Sequence, residues 1–435
     1  MALTINQKDF YRFERLVSKL IKPADNPMVC FIPTDGNFKL AAFSQDAILT
    51  MSVAKQGFME PFAVPLLTLK PLAVNKKDTE ITFAPQGKTV HIQSGEEQRW
   101  VDCEKQVNTL PTQPKATAPQ SKQFLDVLHQ TAKCVDTNDI RVAINGICLR
   151  GETSQILATS GVQLVVHEGF EFPFKQDVIC PVSKIFGSKE LLAIDTDEVR
   201  IGQINEMVYF AVGEVEIWLR AIEGKFPKVD RLLVPAKEAT VLEITPADAE
   251  FIVERIDKLP GKKKHEATIW LSLDDKIQVR AYDLSQKSGT ALELSHSTFT
   301  GTHTTVSMNR TFLKNAMQFG CLHLYVDPEN RTPVVCIGKE KSFVFMPLST
   351  KEPEVDATKM NVIASASAMK EVSVAKQATP ATAPAPVKKR RRRRTTSVKP
   401  GAVTPVGTGT SMESALQLSF SIDLILVFSF VITSV

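Results

Sequence analysis

Catalytic chemistry would need clustered nucleophiles, paired acids or a phosphate-binding loop, and the sequence offers little of this kind. It contains no P-loop, no G-x-S-x-G, no H-E-x-x-H, and no G-x-G-x-x-G after a strand pattern. The adjacent acids Asp274 and Asp275 fit a turn, and the carboxylates show no metal-binding pattern for nucleotidyl transfer. We therefore expect a protein without catalytic residues, metal or cofactor.

Cysteine and histidine could supply disulfides or metal ligands, but their spacing indicates neither. The seven histidines lack metal-ligand spacing, and the seven cysteines include no C-x-x-C pair. Asp9, Arg12 and Glu14 interrupt any apolar run near the N-terminus, so we expect no signal peptide and a cytoplasmic location. The cysteines have mostly apolar neighbours, which indicates reduced, buried thiols at Cys30, Cys103, Cys134, Cys148, Cys180, Cys321 and Cys336.

The charge of the chain is divided unevenly between a body and a tail. The net charge is +4, but residues 361–435 carry +7 and the first 360 residues carry −3. Overall charge therefore does not support binding of nucleic acid by the body, and any such site must come from local placement of Lys and Arg.

An internal repeat organises the body. A strand pattern followed by proline ends near Pro111, Pro227 and Pro347, at nearly equal steps. Apolar residues at helical spacing predict three equivalent helices, over Gln7–Ile21, Ser121–Lys133 and Ala247–Leu259. Three further strands each lead into a second helix, near Leu66–Leu67, Ser183–Leu192 and Thr311–Phe319. We expect an α+β protein of three repeated domains, 1–117, 118–236 and 237–350, each with two helices on antiparallel sheet.

The composition changes after Thr350, and residues 351–435 are expected to be a disordered basic tail with an apolar end. Lys388–Arg394 is a run of seven positive residues, which on its own is consistent with a solvated charge block. The apolar end, Leu416–Val435, could be an added strand, an artefact of translation or gene prediction, or a weak membrane contact. We do not favour the membrane, because the uncharged run from Leu424 has about twelve residues and a spanning helix needs roughly 20.

Four segments resemble the bacterial sliding clamp, the beta subunit of DNA polymerase III. Glu223-Gly224-Lys225-Phe226-Pro227, with Arg231, is similar to the family's Gly-Arg-Phe-Pro segment, and Phe343–Leu348 is similar to its closing strand. Leu157–Leu164 and Val178–Leu192 resemble a strand-turn and a strand-helix of its second domain. The resemblance covers about residues 1–349 and depends on the order and spacing of the segments.

The resemblance implies a function without catalysis. Two subunits would pair head to tail, each forming half of a closed ring around duplex DNA, and would hold the replicative polymerase there as a processivity factor. Such chains are often labelled DNA-directed DNA polymerase because they belong to the holoenzyme. The clamp loader and repair proteins are further partners that the family binds through short peptide motifs. The alternative is a diverged scaffold or paralogue that binds proteins without serving as the replicative clamp.

Carried over by position, the resemblance implies a cleft for partner peptides between the second and third domains. An apolar cleft would take the Leu and Phe of the peptide, and Arg231 and Asn309 would orient its backbone. Leu164 and Val344 fit equally well as core residues. The expected lining is Ile144, Thr159, Gly161, Leu164, Pro227, Arg231, Leu232, Asn309, Phe312, Val344, Phe345, Met346, Pro347 and Leu348.

The resemblance also implies a basic lining of the ring, contacting phosphates without reading sequence. The expected DNA-facing residues, mostly on helices, are Arg12, Arg15, Lys19, Lys22, Lys122, Lys133, Asn138, Arg141, Lys184, Lys189, Arg255, Lys258, Arg310 and Lys314. Dimer contacts are expected between the first domain of one subunit and the third of the other, around Ile256 and Leu259.

The sequence departs from the family at three places. Val162-Gln163 stands where the family often has His-Arg, and Val142-Ala143 stands where it has an aromatic pair near DNA. The family chain also ends just after the Met-Pro segment, whereas about 85 residues follow it here. The tail therefore starts beside the expected cleft, where it would modulate partner access or add DNA affinity through Lys388–Arg394.

Overall fold

The computed structural model describes residues 2–22, 25–34, 37–53, 60–74, 79–261 and 267–366. Within them the same order of elements recurs three times, as the sequence predicts. The first repeat comprises β1 (Leu3–Asn6), α1 (Gln7–Leu20), β2 (Met28–Pro33), β3 (Phe38–Phe43), β4 (Ala47–Val53), β5 (Phe62–Pro65), α2 (Leu66–Leu69), β6 (Glu80–Gln86), β7 (Thr89–Ser94) and β8 (Glu97–Asp102).

The second and third repeats follow the same plan, with one additional strand, β21, in the third. The second comprises β9 (Thr117–Ser121), α3 (Gln123–Thr131), β10 (Gly146–Arg150), β11 (Gln155–Thr159), β12 (Gln163–His167), β13 (Asp177–Pro181), α4 (Lys189–Leu192), β14 (Glu198–Ile204), β15 (Met207–Val212) and β16 (Val215–Arg220). The third comprises β17 (Thr240–Glu243), α5 (Pro246–Arg255), β18 (Thr268–Leu273), β19 (Ile277–Asp283), β20 (Ser288–Glu293), β21 (Thr298–Thr300), β22 (Thr304–Asn309), α6 (Arg310–Gln318), β23 (His323–Val326), β24 (Val334–Gly338) and β25 (Lys341–Phe345).

The first helix of each repeat confirms the sequence prediction within a few residues. In α1 the Asn6 side chain caps the N-terminus by accepting from the Lys8 amide at 2.9 Å, and Phe10, Phe13 and Val17 are buried along one face. In the second and third repeats the predicted helix continues beyond α3 and α5 as a 3-10 turn, over Ala132–Cys134 and Ile256–Lys258.

The second helices are shorter than predicted in the first two repeats. Helix α2 ends at Leu69, where the chain tightens into a 3-10 turn containing Pro71, as the sequence predicts. The prediction of a helix over Ser183–Leu192 is wrong for most of its length, because α4 begins only at Lys189. Gly187 lies so close to the His129 ring that a Cβ there would be 2.4 Å from Nδ1, and Ser188 caps the short helix instead.

The described residues form four sheets, and two of these join neighbouring repeats. The first junction sheet has the order β5-β2-β3-β4-β16-β15-β14-β9, and the second has the order β13-β10-β11-β12-β25-β24-β23-β17-β21. In each, an edge strand of one repeat pairs antiparallel with the last strand of the next, β4 with β16 and β12 with β25. The other two are the first-repeat sheet, β1-β6-β7-β8, and the third-repeat sheet, β22-β18-β19-β20-β26, in which β26 is Met360–Ala364.

The start of the tail is ordered, which differs from the prediction. Residues 360–364 form β26 (Met360–Ala364), which pairs in parallel with β20 at the edge of the third-repeat sheet. The prediction of a disordered tail from residue 351 is therefore wrong for this segment. The basic run Lys388–Arg394 and the apolar segment Leu416–Val435 lie outside the described residues, and the domain boundaries stay predictions.

The apolar core follows the junction sheets across the repeats. One cluster of buried residues joins the first and second repeats, and another joins the third repeat to Cys134, Ala158 and Val165 of the second. All seven cysteines are buried and free, and burial raises the pKa of the Cys321 thiol to about 12. In the part of the chain that the structure describes, no helix is long and apolar enough to span a bilayer.

The second junction sheet contains a buried histidine, which makes stability depend on pH. His167 on β12 lies opposite Lys341 of β25, and burial, with the Lys341 charge, lowers its pKa to about 4. An unfolded histidine has a pKa of about 6.5, so between these values the unfolded chain binds a proton that the folded chain does not. Above about pH 6.5 His167 therefore does not lower the unfolding free energy. Below this value the unfolding free energy falls as the pH approaches 4, because the unfolded chain gains the proton.

We predict that His167→Leu removes most of this pH dependence. Between pH 7 and 4.5 the unfolding free energy of the unaltered chain should fall by about 2.4 kcal/mol more than that of the variant. Urea unfolding at both pH values measures the difference, and His323→Leu, at an exposed position, is the control. Equal losses in the unaltered chain and in His167→Leu would contradict the prediction.

Candidate peptide-binding site

The ladder between β12 and β25 brings together residues that are far apart in sequence. Leu164 lies opposite Val344 and Gln163 lies opposite Phe345. Just beyond the ladder, the Met346 amide donates a hydrogen bond of 3.1 Å to the Val162 carbonyl. The strand-turn of the second repeat and the closing strand of the third therefore form one continuous surface.

An apolar cluster forms the floor of this region. Ile144, Leu164 and Val344 are fully buried in it, and Leu232 packs against it half-buried from the 3-10 helix Asp230–Leu233. Sequence reasoning missed further members of the cluster, namely Phe226, Val229 and Val335. Val335 lies opposite Val344 in the β24–β25 ladder, a register that the sequence pattern does not reveal.

One polar contact and one close backbone approach position the 3-10 helix Asp230–Leu233 beside the floor. The Arg150 guanidinium donates a hydrogen bond of 2.9 Å to the Asp230 carboxylate at the start of this helix. Upstream, Gly224 has φ +130°, and a Cβ there would be 3.1 Å from that of Ala143. The helix is thereby held so that Arg231 is exposed and Pro227 and Leu232 are half-buried.

The turn between β11 and β12 is closed by its own hydroxyl. Thr159 Oγ1 donates to the Gln163 carbonyl at 2.7 Å and accepts from the Gly161 amide at 3.0 Å. Gly161 has φ +87°, and a Cβ at this position would be 2.5 Å from Nη2 of Arg141. Both residues are buried, so Thr159 and Gly161 shape the turn.

The third repeat contributes the other side of the site. Asn309, which is expected to orient a peptide, uses its side-chain oxygen to cap α6 by accepting from the Thr311 amide at 2.8 Å. The Phe312 ring lies 5.6 Å from that of Phe345. The Leu348 amide donates to the Ser307 carbonyl at 2.7 Å. A cavity of about 380 Å³ adjoins Leu348, between Trp270 and the chain from Ser349 to Glu352.

The predicted lining divides into a floor and an accessible surface. The residues at the surface could contact a ligand directly, and the buried ones support them. Residues that are exposed or half-buried are Pro227, Arg231, Leu232, Asn309, Phe312, Met346 and Leu348. Residues that are buried are Ile144, Thr159, Gly161, Leu164, Val344, Phe345 and Pro347.

Several residues expected to face DNA form contacts within the chain. Arg141 donates to Asp139 through Nε at 2.9 Å and Nη2 at 2.7 Å, and this pair lowers the pKa of Asp139 and raises that of Arg141. Partly buried contacts also hold other members of the set. These are Arg12 with Glu214, Lys122 with the Ile194 carbonyl, Lys314 with Asp257, and Arg255 over the Phe251 ring.

The other members of the set, apart from Arg310, are exposed, although Lys184 lies in a turn before α4 and not in a helix. Arg15 stacks on the Tyr11 ring at 5.4 Å and donates to its hydroxyl at 3.3 Å. The exposed residues are Arg15, Lys19, Lys22, Lys133, Asn138, Lys184, Lys189 and Lys258. Their role towards DNA stays a prediction.

The prediction that Arg310 faces DNA is wrong. Its side chain is only 2% exposed and donates to the carbonyls of Ile256, Leu259, Pro260 and Ala267, beyond the end of α5. Burial lowers the pKa of this guanidinium, and the Asp257 charge opposes the shift only in part. Arg310 therefore caps the 3-10 turn that follows α5 and the chain just beyond it.

The predicted dimer contacts at Ile256 and Leu259 are also wrong. Both side chains are buried in the core cluster of the third repeat. They continue the apolar stripe of α5, which packs inward, so neither is available to a second subunit. Among the described residues, no group of three or more His, Cys, Asp or Glu side chains could hold a metal ion.

Comparison with known proteins identifies the fold. No protein-family model matches the chain, and no curated protein matches it. Solved structures do, among them the DNA polymerase III beta subunit of Pseudomonas aeruginosa, at 18% identity and a TM-score of 0.68. The match covers 80% of this chain and 100% of that one. The chain has the sliding-clamp fold.

Other sliding clamps match over the same extent. The beta subunit of Thermotoga maritima is 13% identical with a TM-score of 0.66, and the clamp of Bartonella birtlesii bound to griselimycin is 18% identical with a TM-score of 0.68. Each match covers 80% of this chain and 100% of the other. At these identities the likeness shows the clamp fold and not the role of the chain.

The buried position of Arg310 predicts the effect of replacing it. Arg310→Met should lower the unfolding free energy by about 3 kcal/mol, because buried carbonyls lose their donor. The matched control is Lys189→Met, at an exposed position, which should change it by less than about 0.5 kcal/mol. Urea unfolding of both variants tests this, and equal stabilities would contradict the capping role.

Proposed function

We propose that this chain is a DNA sliding clamp, in which two copies join head to tail around duplex DNA. The observation that supports this most directly is the clamp fold itself, which matches the whole length of solved clamps. The repeated junction, β4 with β16 and β12 with β25, supports it further, because one mode of strand pairing already joins three repeats in succession. Such a ring acts without catalysis, as a tether in the cytoplasm.

Contacts with DNA in this proposal are electrostatic and loose. The exposed cations on or beside α1, α3, α4 and α5 would reach phosphates without reading bases. Lysines such as Lys19 and Lys189 suit a ring that slides, because their charges lie on flexible side chains. Arg310 is excluded from this set, and Arg12, Arg141 and Lys314 would first have to leave their carboxylate partners.

The site at the second junction would bind short peptides of the polymerase, the clamp loader and repair proteins. Half-buried Leu232, Met346 and Leu348 offer apolar contacts, and exposed Arg231 offers hydrogen-bond donors at the edge. Clamps of Bartonella birtlesii and Pseudomonas aeruginosa have been solved bound to griselimycin, and we propose that this ligand binds the second-junction site of this chain.

A second candidate function is a clamp-fold scaffold that binds partner proteins without serving at the replication fork. The pairing of Arg12, Arg141 and Lys314 with acids of the same chain favours this candidate, since it leaves fewer cations for DNA. Encirclement of DNA separates the two.

We predict that the protein is trapped on circular DNA and released from linear DNA. Linear duplex is ligated into a circle in the presence of dimeric protein, and half of the product is then cut once. Gel filtration at about 0.5 M salt separates the DNA-bound protein from the free protein in both halves. A ring should stay on the circle and leave the cut DNA through its ends, because high salt removes phosphate contacts but not a topological link.

A chain ending at Ala366 is the control, since it lacks the basic run Lys388–Arg394. It should be retained like the full chain if the link is topological. Equal retention of the full chain on circular and cut DNA would overturn the clamp and favour the scaffold.

We predict that Leu232→Asp weakens griselimycin binding by at least about tenfold. The substitution places a charge against the apolar floor, where a ligand would remove it from water. The matched control is Val234→Asp, two residues away, where the side chain is 72% exposed and outside the cluster. Calorimetric titration measures both, and equal affinities would remove the 3-10 helix from the site.

A further inference from the structure

The three repeats use corresponding strands for joining. Strands β4, β12 and β20 occupy the same place in the repeat, the third strand after the first helix, and β8, β16 and β25 are its last strands. Within the chain, β4 pairs with β16 and β12 pairs with β25. The strands left over are β8, at one end of the series of repeats, and β20, at the other.

The β7–β8 hairpin resembles the β15–β16 hairpin of the first junction, but the outer edge of β8 has no partner strand among the described residues. In the first junction, the β15–β16 hairpin pairs Tyr209 with Trp218, and their rings are 5.1 Å apart. The β7–β8 hairpin has the same length and places His91 opposite Trp100 at the equivalent position, with rings 4.6 Å apart. Trp218 is 1% exposed and lies opposite Ile48 of β4, whereas Trp100 is 60% exposed.

The exposed tryptophan indicates that β8 is built to pair. Apolar side chains of this size are rarely left on a free strand edge, because such an edge promotes association. In the part of the chain that the structure describes, β8 pairs with β7 alone, at the end of the first-repeat sheet. The partner that the repeat supplies for it is β20 of a second copy.

The edge of β20 is covered by β26 of the same chain. The two strands run parallel, with Gly289 opposite Met360 and Glu293 opposite Ala364. The glycine permits this approach, because a Cβ at residue 289 would be 2.4 Å from Sδ of Met360. Beyond the strand, the Ser295 amide donates to Ser365 Oγ at 3.0 Å.

The segment that leads to β26 is attached by a few polar contacts. Trp270 Nε1 donates to the Thr350 carbonyl at 3.2 Å, and Arg280 and the Tyr282 hydroxyl both donate to Glu352. The apolar attachment of the strand is small. Of its side chains, Ile363 packs against the core cluster, whereas Asn361 and Val362 are exposed.

We propose that residues 351–366 are an intramolecular cap on the ring-closing edge. In this proposal β8 of one copy pairs antiparallel with β20 of another, as in the two junctions inside the chain, and β26 must first leave β20. The inference rests on the proposed clamp function and adds a control on its assembly. Because parallel pairing is slightly less stable per residue than antiparallel pairing and little apolar area is buried, the cap can be exchanged for an antiparallel ladder of the same kind as the two junctions.

Only chains in which β20 is free can dimerise in this way. The apparent affinity of dimerisation is therefore the intrinsic affinity multiplied by the fraction of such chains. We compare the full chain, a chain ending at Ala366 and a chain ending at Thr350 by sedimentation equilibrium. The chain ending at Thr350 should dimerise at least about tenfold more tightly than the other two. The chain ending at Ala366 is the matched control, since it loses the rest of the tail and keeps β26.

One substitution tests each of the two edges, the first in the full chain and the second in the chain ending at Thr350. Ile363→Asp in the full chain should release β26 and tighten dimerisation, because a charge replaces the side chain that packs against the core cluster. Trp100→Arg in the chain ending at Thr350 should abolish the dimer by blocking β8. Unchanged dimerisation in both would overturn the proposal.

A reversible lock distinguishes a cap from a strand that takes part in the interface. Thr290 and Asn361 are opposite each other in the ladder and neither is buried, so the double variant Thr290→Cys, Asn361→Cys can be oxidised to a disulfide. The oxidised chain should remain monomeric and dimerise again on reduction. A locked chain that dimerises as tightly as the reduced one would show that β26 belongs to the interface, and the cap would be wrong.

The same chains separate this inference from the clamp function. If the chain ending at Thr350 forms the tighter dimer but is not trapped on circular DNA, the cap stands and the clamp function fails. If the chains ending at Thr350 and Ala366 dimerise equally and both are trapped, the clamp stands and the cap fails.

Discussion

Antiparallel pairing between edge strands of neighbouring repeats is the constraint on which the rest of the structure depends. A strand edge exposes a row of unpaired amides and carbonyls, and the first two repeats each satisfy one such edge with the next repeat. The pairings of β4 with β16 and β12 with β25 make two continuous sheets from three repeats. The candidate peptide site exists only because the second of these pairings brings Leu164 beside Val344.

The two junctions are built from different chemistry. The first contains a buried carboxylate, Glu216, which accepts from Lys39, Gln113, Thr50 at 2.9 Å and Tyr209 at 3.1 Å. Burial opposes ionisation of Glu216, but the Lys39 contact and the hydroxyl donors outweigh it and lower its pKa. A buried charge that is fully hydrogen-bonded specifies one register, since a slip by one residue would leave it unpaired. The second junction relies on apolar residues, with neutral His167 among them.

Sequence patterns predicted the repeat and the first helices because these depend on local spacing. Phe10, Phe13 and Val17 recur at the helical period whatever surrounds them, and the structure buries all three. The α+β class and the clamp fold followed from the order of such segments, and both were confirmed. The site was predicted through resemblance, and the structure brings its residues together, although half of them form its floor.

The failures have a common physical cause, which is that charge or apolarity alone does not say which way a side chain points. Arg310 is the first residue of α6, yet its side chain turns inward to the carbonyls of Ile256 and Leu259, beyond the end of α5. Ile256 and Leu259 belong to the apolar stripe that predicted α5, so the same pattern that located the helix already argued for their burial. Strand β26 was missed because five residues of modest apolarity gain their order from an edge contributed by a distant strand. That edge is the outer edge of β20, which corresponds to β4 and β12 in the first two repeats. Strands β4 and β12 each pair with the following repeat, whereas β20 has no following repeat among the described residues. The extension therefore occupies the position where the next repeat would come, and the pairing rule that joins the repeats also determines where the tail attaches.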